Sequence, residues 1–360
     1  MSGASDGTAH GRSDFESALP AAEDVAVFEE EERSPLRRLH HFLHANPTVV
    51  PFIVLLIGVA LFTALVGGRF FHPFNLSLIL QQVTIIGILG IAQTLIILTA
   101  GIDLSVGAIM VLSSIVMGRL AVVSGVPVEI SFPLGLLAGM ACGFVNGALV
   151  TRFRLPPFIV TLGTWSIFGA LVLFYSRSET LRQQDVEAVA SLLQWTGTAI
   201  QIDAARLTYG SVLMILLAAL VWYVLNRTAF GRHVYATGDD PDAARLAGIN
   251  VNRTLLAVYT AAGLICALGG WVLIGRIGAV SPLAGQTANL DSITAVVIGG
   301  TSLFGGRGSI VGTLIGALIV GVFRNGLALA GLDALWQEFT VGVLIIVAVA
   351  LDQWIRRISA

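Results

Sequence analysis

Lysine is missing altogether: all 20 basic residues among the 360 are arginine. A Walker A loop needs a lysine after its glycines, so the chain has no P-loop ATPase site of its own, and no lysine is present to form a Schiff base. Charge of either sign is scarce. Charged residues make up 12% of the chain against 56% hydrophobic, with a mean hydropathy of +0.86. No water-soluble domain needs that balance, and repeated apolar runs of about 20 residues mark a polytopic helical membrane protein. The two cysteines, Cys142 and Cys266, both fall inside apolar runs and read as small packing residues, not a disulfide framework. None of the six histidines lies deep in such a run, and neither an HExxH zinc pattern nor a GxSxG serine elbow occurs. A membrane-embedded enzyme and a metal site therefore have no candidate residues, and nothing points to nucleic acid.

What is present divides the chain into three parts. Residues 1–33 hold nine of the 22 acidic residues and lack the basic start and apolar core of a signal peptide, so a disordered acidic cytoplasmic tail is expected. Residues 34–48, with Arg37, Arg38, Leu39, Phe42 and Leu43, predict an amphipathic helix lying on the membrane surface. Residues 49–357 form the membrane domain. The fold class is all-α, with ten segments at 49–66, 76–99, 104–124, 132–151, 157–175, 210–226, 254–275, 290–303, 308–328 and 334–354. The eighth is short and bounded by glycine, as a half-helix would be. With both termini inside, 13 of the 20 arginines fall on the cytoplasmic side, which supports that orientation. It places the loop 227–253 in the cytoplasm and a folded cap at 176–209 outside.

The polar stretch 231–252, GRHVYATGDDPDAARLAGINVN, carries the grammar of a short helix. Asp240 suits the N-cap, Pro241 the first helical position, Asp242 the positive dipole end, and Ala243 and Ala244 the interior. Arg245 suits the far end and Gly248 the terminator. Such a helix fits a docking element for something outside the membrane, and equally a solvated connector. Small residues recur at a four-residue spacing, as Gly135, Gly139, Gly143 and Gly147 in the fourth segment and Gly308, Gly312 and Gly316 in the ninth. Each set predicts one helix face that lets another backbone come close.

Two carboxylates, Asp103 and Asp291, sit beside apolar runs, where an ionisable group is a functional candidate by default. The alternative is that each caps a helix at the water interface. Glycines flanking Asp103 suggest a broken helix. Gly101, Leu104 and Gly107 align with Gly300, Leu303 and Gly306 at an offset of 199, a hint of internal duplication. Gln93, Ser105, Asn146, Thr161, Thr164, Trp165 and Thr294 complete the candidates for a path taken by a neutral, hydroxyl-rich solute. The uncharged ones among them are equally ordinary interhelical hydrogen bonds.

Four stretches in order, TAGIDLSVGAIMVLSS, PPFIVTLGTWS, GRHVYATGDDPDAARLAGINV and NLDSITAVVIGGTSLFGGRGSIVGTLIGALIVGVFRNGL, resemble the permease family of ribose/xylose/fructose-type ABC sugar importers. The resemblance covers roughly residues 50–355, and the whole chain looks most like the fructose-importer permeases. It implies an inner-membrane subunit without its own enzymatic activity or cofactor, paired with a second permease copy. A cytoplasmic ATPase would hold ATP and Mg, and a periplasmic protein would deliver the sugar. The family's coupling helix falls on residues 238–248, with Gly238 at its start and Asp240, Pro241, Ala243, Ala244 and Gly248 at matching positions. The chain departs from the family in having Asp239-Asp240 where asparagine is common, and in the bulk of Trp165. Two other transporter classes stay open: an ion-coupled secondary transporter using Asp103 or Asp291, and a branched-chain amino-acid ABC permease.

Overall fold

The computed structural model describes residues 48–285 and 287–359. The acidic tail expected at 1–33 and, but for Thr48, the interfacial helix expected at 34–48 lie outside the described residues.

Each long apolar run becomes a helix, because a helix satisfies its backbone groups internally and lipid offers no alternative partner. In chain order these are α1 (Val49–Val66), α2 (Pro73–Leu98), α3 (Val106–Gly118, continuing as a π-turn Arg119–Val123), α4 (Val128–Arg152) and α5 (Pro157–Ser176). Next comes α6 (Gln183–Gln194), then a two-stranded antiparallel hairpin, β1 (Ala199–Ile202) and β2 (Ala205–Thr208). The chain continues through α7 (Tyr209–Arg227), α8 (Ala229–Asp239), α9 (Pro241–Leu246), α10 (Val251–Ile277), α11 (Ala288–Ile298), α12 (Ile310–Leu329) and α13 (Ala334–Ser359). Among the described residues eight helices are long and apolar enough to cross a membrane, and α11 is a shorter apolar helix. With α13 they account for the ten expected segments. The 11 residues of α11 rise only about 16 Å, roughly half the hydrocarbon thickness.

Burial separates an inner set of helices from an outer one. α2, α3, α10 and α12 are largely enclosed, whereas α1, α4, α5 and α7 expose most of their apolar surface. Small residues and paired hydroxyls hold the inner set together. Gly139 and Gly143 of α4 lie against α10 so closely that a Cβ at Gly143 would fall on the carbonyl of Tyr259 and the backbone of Gly263. Gly147 meets Leu256 and Tyr259, and Gly135 meets Met117 of α3. In α12, Gly312 and Gly316 press on the carbonyls of Gly299 and Ala295. Gly308 does not share that face: it precedes α12 in a loop and packs on Thr301. The helical spacing in the sequence ran past the true helix start, because Ser309 caps α12 by accepting the Gly312 N–H at 3.0 Å.

Polar pairs also cross between helices. Thr94 Oγ1 and Thr313 Oγ1 lie 2.6 Å apart between α2 and α12, and Thr84 Oγ1 and Ser211 Oγ lie 2.8 Å apart between α2 and α7. Asn325 donates to Asn75 Oδ1 at 2.9 Å. Arg119, almost wholly buried, donates from Nη1 to the Ser176 carbonyl at 2.7 Å and so ties the end of α3 to the end of α5. Beyond it, residues 176–209 build a small folded region in which Trp195 stacks on Trp271 and packs against Tyr209.

Replacing Gly143 by Val is expected to cost about 1–3 kcal/mol or more by overpacking against rigid backbone. Gly163 of α5 faces open space, so Gly163→Ala is expected to be neutral or slightly stabilising. Thermal unfolding in detergent compares the two, and equal effects would contradict the close α4–α10 contact.

Candidate functional site

Two helix breaks organise the interior. α2 ends in a Schellman motif: Ala100 N–H donates to the Ile97 carbonyl at 2.9 Å and Gly101 N–H to Ile96 at 3.1 Å, with Ala100 at φ +60°. α11 ends identically. Gly300 N–H donates to Val297 at 3.0 Å and Thr301 N–H to Val296 at 3.2 Å, with Gly300 at φ +86°. The two helix ends therefore correspond at an offset of 200, one residue from the register the glycine alignment suggested. The loops that follow also touch, since Gly306 N–H donates to the Leu98 carbonyl at 3.0 Å.

Asp103 lies in the first break and is only 2% exposed. Its Oδ1 accepts the Ser105 N–H and hydroxyl, both at 2.6 Å, and its Oδ2 accepts from Asn146 Nδ2 at 3.3 Å. The same Asn146 nitrogen donates to Ser105 Oγ at 2.8 Å. This carboxylate accepts the Ser105 N–H as a helix cap does, but it is buried in the protein against Asn146 of α4 and not exposed to solvent. Thr161 of α5 reinforces the break by donating to the Ile102 carbonyl at 3.0 Å.

Asp291 is also no surface cap. It sits in the first turn of α11, where its Oδ1 accepts from Arg324 Nη2 at 2.7 Å and its Oδ2 from the Thr287 hydroxyl at 3.1 Å. Arg324 Nη2 also reaches Glu338 Oε1 at 2.9 Å. Two residues away, Asn289 joins this helix to the first break: it donates to the Leu104 carbonyl at 2.6 Å, and its Oδ1 accepts the Gly107 N–H at the start of α3. Neither Asn289 nor Arg324 stood among the sequence candidates. An arginine inside an apolar run was the available signal for the latter.

A cavity of about 280 Å³ opens between α3, α5 and the stretch leading into α11. Gly107, Trp165, Ser166, Gly169, Gly285 and Asn289 are among its lining residues, and no described lining residue is ionisable. Trp165 is 46% exposed near the middle of α5. Of the nine pathway candidates it alone lines this cavity. Ser105, Asn146 and Asp103 are buried and hydrogen-bonded to one another, Thr161 is buried and bonds the Ile102 carbonyl, and Gln93, Thr164 and Thr294 are buried as well. Thr294 donates to the Leu290 carbonyl of its own helix at 2.6 Å. Both amide atoms of Gln93 are buried without a hydrogen-bond partner. The cavity can accept a neutral solute, with an indole face and a hydroxyl to meet it. A smaller cavity of about 140 Å³ lies beside the hairpin, lined by residues that include Gln81, Thr84, Arg206 and Arg276.

The loop between α7 and α10 contains the expected short helix. Asp240 Oδ1 accepts the N–H groups of Asp242 at 2.9 Å and Ala243 at 3.0 Å, and Pro241 takes the first turn of α9. Arg245 donates to Asp242 at 2.6 Å. Gly248, at φ +85°, closes a Schellman motif in which Gly248 N–H and Ile249 N–H each donate at 3.0 Å, to Arg245 and Ala244. Ala244 is buried beneath α9, while Leu246 projects outward at 91% exposure.

The helix before it, α8, was not expected. It is braced on the breaks: a Cβ at Gly238 would collide with the Leu98 carbonyl and the Gly306 amide. Tyr235 donates its hydroxyl to the Gly308 carbonyl at 2.9 Å, and burial pushes that phenol above its ordinary pKa.

Two matching helix ends and a cavity with no ionisable residue in its described lining, inside a bundle of membrane-length helices, fit a transport permease of the α-helical class. The chain matches the family described as "Branched-chain amino acid transport system / permease component" over residues 75–349, and it belongs to that family. It is 59% identical over 348 residues to a fructose import permease protein of Rhizobium meliloti, covering 96% of this chain and 97% of that relative. It is 38% identical over 313 residues to a ribose import permease protein of Bacillus subtilis, covering 87% and 95% of the two chains. A D-allose transport system permease protein of Escherichia coli shares 35% over 306 residues, covering 85% and 91%. No solved structure matches the chain.

Replacing Asn146 by Leu removes a donor to Ser105 Oγ and Asp103 Oδ2 and is expected to cost about 1–3 kcal/mol. Gln93→Leu removes two buried groups without partners and is expected to be neutral or stabilising. Melting temperatures in one detergent rank the two variants, and the reverse order would contradict this hydrogen-bond network.

Proposed function

We propose that this chain is the membrane-spanning subunit of an ATP-driven importer that carries a monosaccharide, with fructose favoured over ribose or xylose. The observation that carries this reading is the 59% identity to a fructose import permease along almost the whole of both chains. The uncharged cavity with Trp165 and Ser166 supports a neutral, hydroxyl-bearing solute. An amino-acid substrate would bring an ammonium and a carboxylate to a cavity whose described lining offers neither charge a partner. An ion-coupled mechanism would need Asp103 or Asp291 on the path, yet neither lines the cavity and each is hydrogen-bonded within its own shell.

Energy comes from a separate cytoplasmic ATPase, which holds ATP and Mg, and a periplasmic binding protein delivers the sugar. Two copies of the chain form the pathway in the lipid of a bacterial inner membrane, with both termini in the cytoplasm. The ATPase grips α9 through the exposed Leu246 and the ends of the helix marked by Asp240, Pro241, Arg245 and Gly248. Ala244 keeps its buried face small, and Ala243 lies exposed beside it. Movement of α9 passes through α8, whose Gly238 bears on both helix breaks.

Proteoliposomes holding this chain, its ATPase and a sugar-loaded binding protein test the proposal. Uptake is expected to require ATP and all three components. Pro241→Leu, Gly248→Val and Leu246→Glu are expected to abolish uptake while the permease itself stays folded. Normal uptake by these variants would remove α9 as the docking site. Uptake by the chain alone under an ion gradient would overturn the importer reading.

A further inference from the structure

Arg324 occupies an unusual position. It bridges three helices: it belongs to α12, and its Nη2 donates to Asp291 of α11 at 2.7 Å and to Glu338 of α13 at 2.9 Å. Asp291 is nearly buried, whereas Glu338 is about half exposed. α11 is too short to span, and its first turn lies inside the protein, with Ala288, Asn289, Asp291 and Ser292 all buried. A helix so placed has no membrane boundary to set its height: the glycine face of α12 packs on its last turns at Ala295 and Gly299, and its first turn is held by side-chain contacts. The Arg324–Asp291 pair is the charged contact among them, and Asn289 lies two residues away on the same turn. Asn289 in turn caps α3 at Gly107, bonds the Leu104 carbonyl, and lines the larger cavity.

We propose that Arg324 is a positioning residue for transport. Its ion pair with Asp291 sets the height and rotation of the first turn of α11, and thereby holds Asn289 on the broken start of α3 beside the cavity. Stability alone does not call for such a pair, since well-packed apolar residues of similar volume often hold two helices as well or better. What a short charge-assisted hydrogen bond adds is direction: it fixes one geometry, whereas apolar contacts tolerate several. The inference rests on the transport reading above.

The test uses the assembled complex in proteoliposomes, with uptake and ATP hydrolysis measured together and amide hydrogen exchange followed at Gly107. Arg324→Met alone leaves the buried Asp291 without a charged partner, and Asp291→Leu alone leaves Arg324 held only by the half-exposed Glu338, so each single variant is expected to lower the yield of folded protein. The informative variant is therefore the double substitution Asp291→Leu with Arg324→Met, which removes both charges. It is expected to fold with a melting temperature near that of the unaltered protein. Sugar carried per ATP hydrolysed is expected to fall on the order of tenfold or more, because small displacements of positioning groups carry such factors, and exchange at Gly107 is expected to quicken.

Asn289→Ala leaves the ion pair intact and is expected to reproduce both effects, so the proposal is testable even where the double variant fails to fold. Arg324→Lys, which keeps the charge, is expected to recover part of the ratio. An unchanged ratio in the folded double variant, or in Asn289→Ala, overturns the proposal. So does a fallen ratio with Gly107 still protected, since the defect would then not pass through α11. Failure of the unaltered complex to carry any sugar would instead overturn the transport reading itself.

Discussion

A helix interrupted inside a hydrocarbon layer exposes backbone groups that only other protein groups can satisfy. This constraint shapes the interior of the molecule. The chain is interrupted after Leu98 and again after Ile298, and each interruption ends in the same two backbone hydrogen bonds. What remains open is closed from a distance. Asn289 takes the Gly107 amide and the Leu104 carbonyl, Thr161 takes the Ile102 carbonyl, and the Leu98 carbonyl receives Gly306. Side chains from α5 and α11 and the backbone of a second loop thus satisfy the turn that joins α2 to α3. The cavity beside α3 can exist because these partners hold the break open without leaving it unsatisfied.

The same constraint links the interior to the loop between α7 and α10. Gly238 has no side chain because the carbonyl that ends α2 and the amide of Gly306 occupy that space. The helix α8 therefore packs directly on both breaks. Glycine contributes likewise between α4 and α10 and between α11 and α12, where main chains touch and side-chain bulk would separate them. Close packing of this kind makes the inner helices a stiff frame, in which a small shift of one element is felt by its neighbours.

Much of the architecture was legible in residue order. Apolar runs bounded by polar residues located the long helices to within a few positions, since burial in lipid demands length and hydrophobicity together. Asp240, Pro241 and Gly248 announced α9 because capping is local chemistry: each acts on a backbone group within three or four residues. The helix α8 was overlooked although Thr228 caps it by accepting the Gly231 N–H and Phe230 and Val234 share a face. Its polar composition resembles a loop, and only packing beneath the membrane helices makes it a helix. Gly308 was placed on a helix it precedes, because a four-residue spacing persists across the Ser309 cap.

The sequence by itself determined the class of protein, the positions of the long apolar helices and the capped loop helix, since these depend on composition and on interactions between near neighbours. Only the tertiary structure decided which polar residues share a site. Asp103 reaches Asn146 across 43 positions, Asn289 reaches Gly107 across 182, and Arg324 reaches Asp291 across 33. No local pattern records such a pairing. Each exists because helices whose apolar surfaces exclude water bring distant polar groups together and leave them no other partner.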